Sequence, residues 1–118
     1  IVMSRSHKRK EDTMFLKLLQ DCEIDYELVE KGSSLKICAL CDDEADIYPR
    51  FGPTSEWDIA AADAVLSSYG GSIFSLDNFK KLEYSKKNIL NPPFIAYSNE
   101  LIKQSYGQKV EDCIKKLL

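Results

Sequence analysis

The segment Gly52-Pro53-Thr54-Ser55-Glu56-Trp57-Asp58-Ile59-Ala60-Ala61-Ala62, running on through Val65 and Leu66 to Gly70-Gly71, constrains the fold of this chain more than any other. A Gly-Pro loop gives way to an Ala-rich helix that stops at a glycine pair, as a left-handed C-cap requires. Small side chains on such a helix let it approach a sheet closely. Glu56 and Asp58 stand where the loop becomes the helix, so their carboxylates lie at its mouth. Two readings of Asp58 are open: a metal ligand presented by a rigid element, or an ordinary N-cap aspartate satisfying the first backbone N–H groups.

The rest of the chain alternates strand and helix. Ile1 to Ser4 reads as a strand and Glu11 to Gln20 as a helix with Met14, Phe15, Leu18 and Leu19 on one side. Asp25 to Val29 alternates as a strand does. Ser33-Ser34 form an N-cap pair for an apolar helix from Leu35 to Asp42, and Ala45 to Phe51 follow as a strand. The Ala-rich helix, Asp58 to Tyr69, puts Ile59, Ala62, Val65, Leu66 and Tyr69 on one face. Ser72 to Ser75 is a strand, Phe79 to Tyr84 an edge strand, Asn91-Pro92-Pro93 a rigid turn and Phe94 to Tyr97 another strand. A last helix begins after Asn99 with Leu101, Ile102, Val110, Ile114, Leu117 and Leu118 at helical spacing, and Gly107 is its natural place to kink or divide. Elements alternating without repeats or linkers over 118 residues make one α/β domain, a mixed sheet with flanking helices.

Composition excludes some functions. A net charge of −3 argues against broad nucleic-acid binding, and no apolar run is long enough to cross a bilayer, so a cytoplasmic location is expected. Four cysteines without a preceding signal peptide read as reduced thiols. Cys38-Ala39-Leu40-Cys41 has zinc-like spacing but lacks a second Cys or His pair, and its apolar surroundings favour two core thiols. Lys8-Arg9-Lys10-Glu11-Asp12 reads as the solvated start of a helix. Asp42-Asp43-Glu44 reads as a solvated turn. The chain opens on a strand without an initiating Met, which suggests a piece of a longer polypeptide.

Three cations stand in informative places. Lys36 is the only charge between Leu35 and Cys41, one turn after Ser33, where it either snorkels out or lies beside an anion. Arg50, in Tyr48-Pro49-Arg50-Phe51, ends a strand just before the Gly-Pro loop, where a guanidinium can grip a phosphate through two bonds. His7, the sole histidine, follows the first strand at the sheet edge where open α/β sheets bind ligands, although a lone histidine is more often structural.

Together these residues resemble a family. The Gly52-to-Leu66 run with Gly70-Gly71 looks like the C-terminal signature of the inositol monophosphatase superfamily of metal-dependent phosphatases. Within it, Ser4-Arg5-Ser6-His7, Gly32-Ser33-Ser34-Leu35-Lys36, Ala45-Asp46-Ile47-Tyr48-Pro49-Arg50 and Asn91-Pro92-Pro93-Phe94 resemble the bacterial 3'(2'),5'-bisphosphate nucleotidases. The resemblance implies the C-terminal portion of a five-layered αβαβα sandwich, presenting one wall of an active site. It implies removal of the 3'-phosphate of adenosine 3',5'-bisphosphate to leave AMP, a step in sulfur assimilation, with Mg2+ as cofactor and Asp58 as one metal ligand. His7, Ser33, Lys36 and Arg50 would line the nucleotide, and Glu56 would support substrate or the loop.

The family's other metal ligands, a Glu-Glu pair and an Asp-Pro-hydrophobic-Asp-Gly-Thr segment, have no counterpart in these 118 residues. The expectation is therefore that the metal-binding N-terminal half is absent, that it is the partner for an apolar face, and that the isolated piece is inactive. Asp43 stands where the family usually has Gly, and Tyr69 where it usually has Ala. An inositol or sugar phosphatase of the same superfamily, and a non-catalytic anion-binding or interaction module, are the competing readings.

Overall fold

Four consecutive residues, Phe94 to Tyr97, are all buried, so the strand they form has protein on both faces. Alternating side chains of this strand enter two separate cores: Phe94 and Ala96 one, Ile95 and Tyr97 the other. That division organises the chain into three layers, helices on both sides of a sheet. A computed structural model describes residues 1–4, 9–31, 35–52, 54–82, 90–91 and 93–117; at 4, 35, 55–58 and 90–91 it describes the backbone alone.

In chain order the elements are β1 (Val2–Ser4), α1 (Lys10–Asp21), β2 (Val29–Lys31), α2 (Leu35–Cys41), β3 (Ile47–Arg50), β4 (Thr54–Ser55), α3 (Glu56–Ser68), β5 (Ser72–Ser75), β6 (Leu90–Asn91), β7 (Phe94–Tyr97) and α4 (Glu100–Leu117). β7 is central, antiparallel to β3 (Arg50 opposite Phe94) and to β5 (Ser75 opposite Phe94). β1 and β2 pair in parallel with Val2 opposite Val29. β1 lies beside β3 and sends Val2 to one core and Met3 to the other, so the parallel pair continues the central layer. The parallel pair and the three-stranded antiparallel sheet are separate in their hydrogen bonding, and side by side they give the mixed strand directions and flanking helices of the α/β fold expected from the sequence. β4 and β6 form a separate antiparallel pair.

On one side α2 and α3 bring Ile37, Leu40, Ile59 and Leu66 against Tyr48, Ile73 and Phe94. On the other, α1 and α4 bring Phe15, Leu19, Val110 and Ile114 against Ile47, Ile95 and Tyr97. Asn99 caps α4, its Oδ1 accepting the Ile102 N–H at 2.9 Å. α4 runs through Gly107 as one helix: the glycine is buried over the Tyr97 ring, where a Cβ would stand 3.6 Å from the hydroxyl.

The structure corrects several expectations. Residues 25–28 are irregular, and the strand begins at Val29, because its backbone bonds are to β1, starting with the Val29 N–H donating to the Ile1 carbonyl at 2.8 Å. Residues 76–80 turn rather than form an edge strand, with a single bridge from Phe74 to Lys81; residues 83 and 84 lie outside the described residues. Asn91, expected in a turn, ends β6. Periodicity also overstates some apolar faces: Met14, Val65, Tyr69 and Leu101 are exposed. Cys38 is exposed and Cys41 half-buried rather than both core; all four cysteines are free thiols. The 42–44 turn is solvated as expected, with Asp43 in the left-handed region at φ 59°. Among the described residues no helix is long and apolar enough to cross a membrane.

Candidate anion-binding site

β1, β2 and β3 each lead into a loop followed by a helix or strand-and-helix, and those exits converge. Arg9, just before α1, lays its side chain on Gly52, just after β3: a Cβ at Gly52 would meet Arg9 Cδ at 3.0 Å. The rings of Phe15 (α1) and Phe51 pack 5.7 Å apart beneath them. α2, entered from β2, places Lys36 Nζ 5.8 Å from the centre of the Tyr48 ring on β3. Carboxyl ends of strands are the usual ligand edge of an open α/β sheet, because helices start there and backbone N–H groups point outward.

Lys36 is 2 % exposed and does not snorkel out. Its pKa is pushed below the ordinary lysine value, first by burial and next by the nearby Arg50 guanidinium, while Asp12 pulls it back up. Arg50 is half-buried, and burial pushes the Tyr48 hydroxyl pKa upward although the nearby Arg50 guanidinium acts to lower it. Arg50 Nε is buried and has no hydrogen-bond partner among the described residues. A buried donor without an acceptor costs on the order of 1–3 kcal/mol. Two cations held together with one donor unanswered form an arrangement that an oxyanion would complete.

Asp12 was expected on a solvated helix start and is instead buried, at 7 % exposure. Its Oδ2 accepts the Arg9 backbone N–H at 2.8 Å, closing the first turn of α1. Its charge acts on both Lys36 and Tyr48, so it belongs to the same cluster. Acidic residues in the first turn, Glu11 and Asp12, are a helix-start signal in the sequence; the tertiary role of the Asp12 carboxylate is not.

The expected site residues therefore fall into three groups. Lys36 and Arg50 are brought together, with Tyr48 and Asp12 as neighbours that sequence reading had not placed there. Glu56 is the first residue of α3 and Asp58 the third, inside the first turn rather than at an N-cap; their side chains lie outside the described residues. His7 and Ser33 also lie outside them. Among the described residues no three His, Cys, Asp or Glu side chains stand close enough to hold a metal ion. A cavity of about 400 Å³ lies at the opposite, amino ends of β1 and β3, lined by Asp25, Glu27, Glu44 and Asp46 among others, an acidic lining unsuited to phosphate.

Comparison with known proteins agrees with the fold. The chain is 39% identical over 95 residues to the 3'(2'),5'-bisphosphate nucleotidase CysQ of Salmonella typhimurium, covering 80% of this chain and 37% of that protein. The CysQ of Buchnera aphidicola is 40% identical over 98 residues, 81% of this chain and 36% of that one. The chain thus spans little more than a third of these relatives. The crystal structure of CysQ from Bacteroides thetaiotaomicron, a bacterial member of the inositol monophosphatase family, superposes with a TM-score of 0.75 at 39% identity, over 84% of this chain and 37% of that one. An inositol monophosphate-bound SaIMPase-II shares the fold at 14% identity, with a TM-score of 0.67 over 98% of this chain and 44% of its own. The sequence profile described as the inositol monophosphatase family matches residues 1–115. The chain belongs to the inositol monophosphatase family.

Proposed function

We propose that this chain forms one wall of the active site of a magnesium-dependent phosphatase that hydrolyses a 3'(2'),5'-bisphosphate nucleotide, adenosine 3',5'-bisphosphate above all, to AMP and phosphate. One observation carries this reading: buried Lys36 and half-buried Arg50 lie near each other at the carboxyl edge of the sheet, and the buried Arg50 Nε has no hydrogen-bond partner among the described residues. A substrate with a second phosphate supplies the missing acceptor and the opposite charge. Similarity to the CysQ nucleotidases supports the nucleotide over an inositol phosphate.

In this reading Lys36 and Arg50 bind the retained phosphate, His7 and Ser33 line the nucleotide, and Glu56 steadies substrate or the 52–55 loop. Asp58, fixed in the first turn of α3, contributes one carboxylate to magnesium. The described residues do not themselves make a metal site, so the remaining carboxylates would come from a preceding half of the same polypeptide. Bound magnesium supplies charge neutralisation at the scissile phosphate and an acidified water. The reading includes a place in sulfur assimilation and a cytoplasmic location, and it makes the isolated 118 residues inactive.

Phosphate release from adenosine 3',5'-bisphosphate by the protein that carries this chain tests it. Asp58→Asn should nearly abolish release, and Lys36→Ala and Arg50→Ala should raise KM for the nucleotide at least tenfold. Unchanged KM in both cation variants, with turnover of inositol phosphate intact, would transfer the assignment to an inositol or sugar phosphatase. Nucleotide binding without turnover would make the chain a non-catalytic anion-binding module.

A further inference from the structure

Away from the sheet edge, the far end of α1 meets α4 through sulfur. Cys22 is the C-cap residue of α1 and is exposed; Cys113, in the last third of α4, is buried. Their Sγ atoms are 3.5 Å apart, although the residues are 91 positions apart in sequence. Lys116 Nζ stands 3.9 Å from Cys22 Sγ, so a thiolate formed at Cys22 has a cation beside it. Cys113 Sγ is otherwise only 3.9 Å from the Leu18 carbonyl, a weak contact that does not hold it. Cys22 ends α1, its backbone N–H still donating to the Leu18 carbonyl at 3.0 Å, so the helix end is fixed and the sulfurs have to close from 3.5 Å to a bond of about 2.05 Å.

We propose that Cys22 and Cys113 are a reversible disulfide pair, with exposed Cys22 the attacking thiol, buried Cys113 the resolving one, and a low-molecular-weight disulfide the oxidant. The Cys22 thiolate attacks one sulfur of that disulfide, forming a mixed disulfide and releasing one small thiolate. Cys113 sulfur then attacks Cys22 Sγ, the second small thiolate leaves, and it takes up the Cys113 proton. In sum two protein thiols are oxidised, one external disulfide is reduced to two thiols, and no other electron acceptor is needed. Burial, above all, pushes the Cys113 pKa up to about 11, with the neighbouring Cys22 adding to the rise, which leaves exposed Cys22 as the sulfur that reacts first. The bond would tie the end of α1 to α4, on the helix whose first turn carries Asp12.

The test is a peptide map of the intact protein after incubation with glutathione disulfide. A Cys22–Cys113 cross-link, lost on reduction with dithiothreitol, is expected, together with a higher unfolding midpoint for the oxidised form. Cys113→Ala should instead accumulate a stable glutathione adduct on Cys22, and Cys22→Ser should leave Cys113 unmodified. A persistent glutathione adduct on wild-type Cys22, or oxidation confined to Cys38 and Cys41, would overturn the proposal. The wild-type map decides it even if a variant at the buried Cys113 fails to fold, and the outcome is independent of the phosphatase reading.

Discussion

Lys36 Nζ lies 5.8 Å from the centre of the Tyr48 ring, and the two residues reach each other from α2 and β3 across the join between parallel and antiparallel strands. The ring face recovers part of the solvation the ammonium loses. It does not cancel the cost of burial or the repulsion from Arg50, so the cluster is held at a cost in the free protein that the proposed anion would relieve.

Lys36→Met should therefore stabilise the free protein by about 1–2 kcal/mol while weakening anion binding. The sign of the pH dependence follows from the lowered pKa. Between its folded value and the ordinary 10.5, the unfolded chain holds a proton that the folded chain has released, so wild-type stability should gain on that of Lys36→Met as pH rises. Tyr48, raised from 10.0, works in the opposite direction only above pH 10. Urea unfolding of both proteins from pH 7 to 10 checks this; a difference independent of pH would refute it.

Arg50→Lys keeps the charge but removes Nε and the planar fork. If Arg50 grips the second phosphate, KM for the bisphosphate should rise about tenfold, roughly 1.4 kcal/mol, with a smaller change in kcat. Steady-state kinetics on a bisphosphate and a monophosphate separate this from general damage, because only the former should suffer.

Gly70 and Gly71 end α3 for different reasons. Gly70 has φ +87° with open space around it, so Gly70→Ala should cost about 1 kcal/mol of backbone strain. At Gly71 a Cβ would sit 2.5 Å from Leu66 Cδ1 and 2.6 Å from the Tyr97 carbonyl oxygen, and that backbone cannot yield. Gly71→Ala should cost about 2–4 kcal/mol. Equal losses in chemical denaturation would contradict this assignment.

Tyr97 is fully buried and its hydroxyl has no hydrogen-bond partner among the described residues. Burial raises its pKa, as for a phenol with nothing to receive its charge. Tyr97→Phe keeps the ring against Phe74 and Gly107 and removes the stranded hydroxyl, so the unfolding free energy should hold or rise, by up to about 1 kcal/mol. A loss of more than that would reveal a partner for the hydroxyl.

The layering was legible in the sequence because it follows from local pattern. The four apolar residues of β7 mark a strand covered on both faces, and the Gly-Pro start and Gly-Gly stop of α3 bound a helix regardless of what it packs on. Where periodicity misled, at Met14, Val65, Tyr69 and Leu101, a helix's apolar stripe was wider than the surface available to cover it. The strand expected at 25–28 failed because pairing, not alternation, decides where a strand begins, and β1 offers partners only from Val29 onward.

The candidate anion site was half legible. Lys36 and Arg50 stood out as charges in apolar stretches, and any such residue must be paired, shifted or functional. That they meet, that Asp12 is buried with them, and that Cys22 reaches Cys113 across 91 positions were decided only by tertiary structure. Sequence determines which groups are costly to bury and which segments form helices and strands, since both are properties of neighbours along the chain; which costly groups share one place depends on strand order and helix packing.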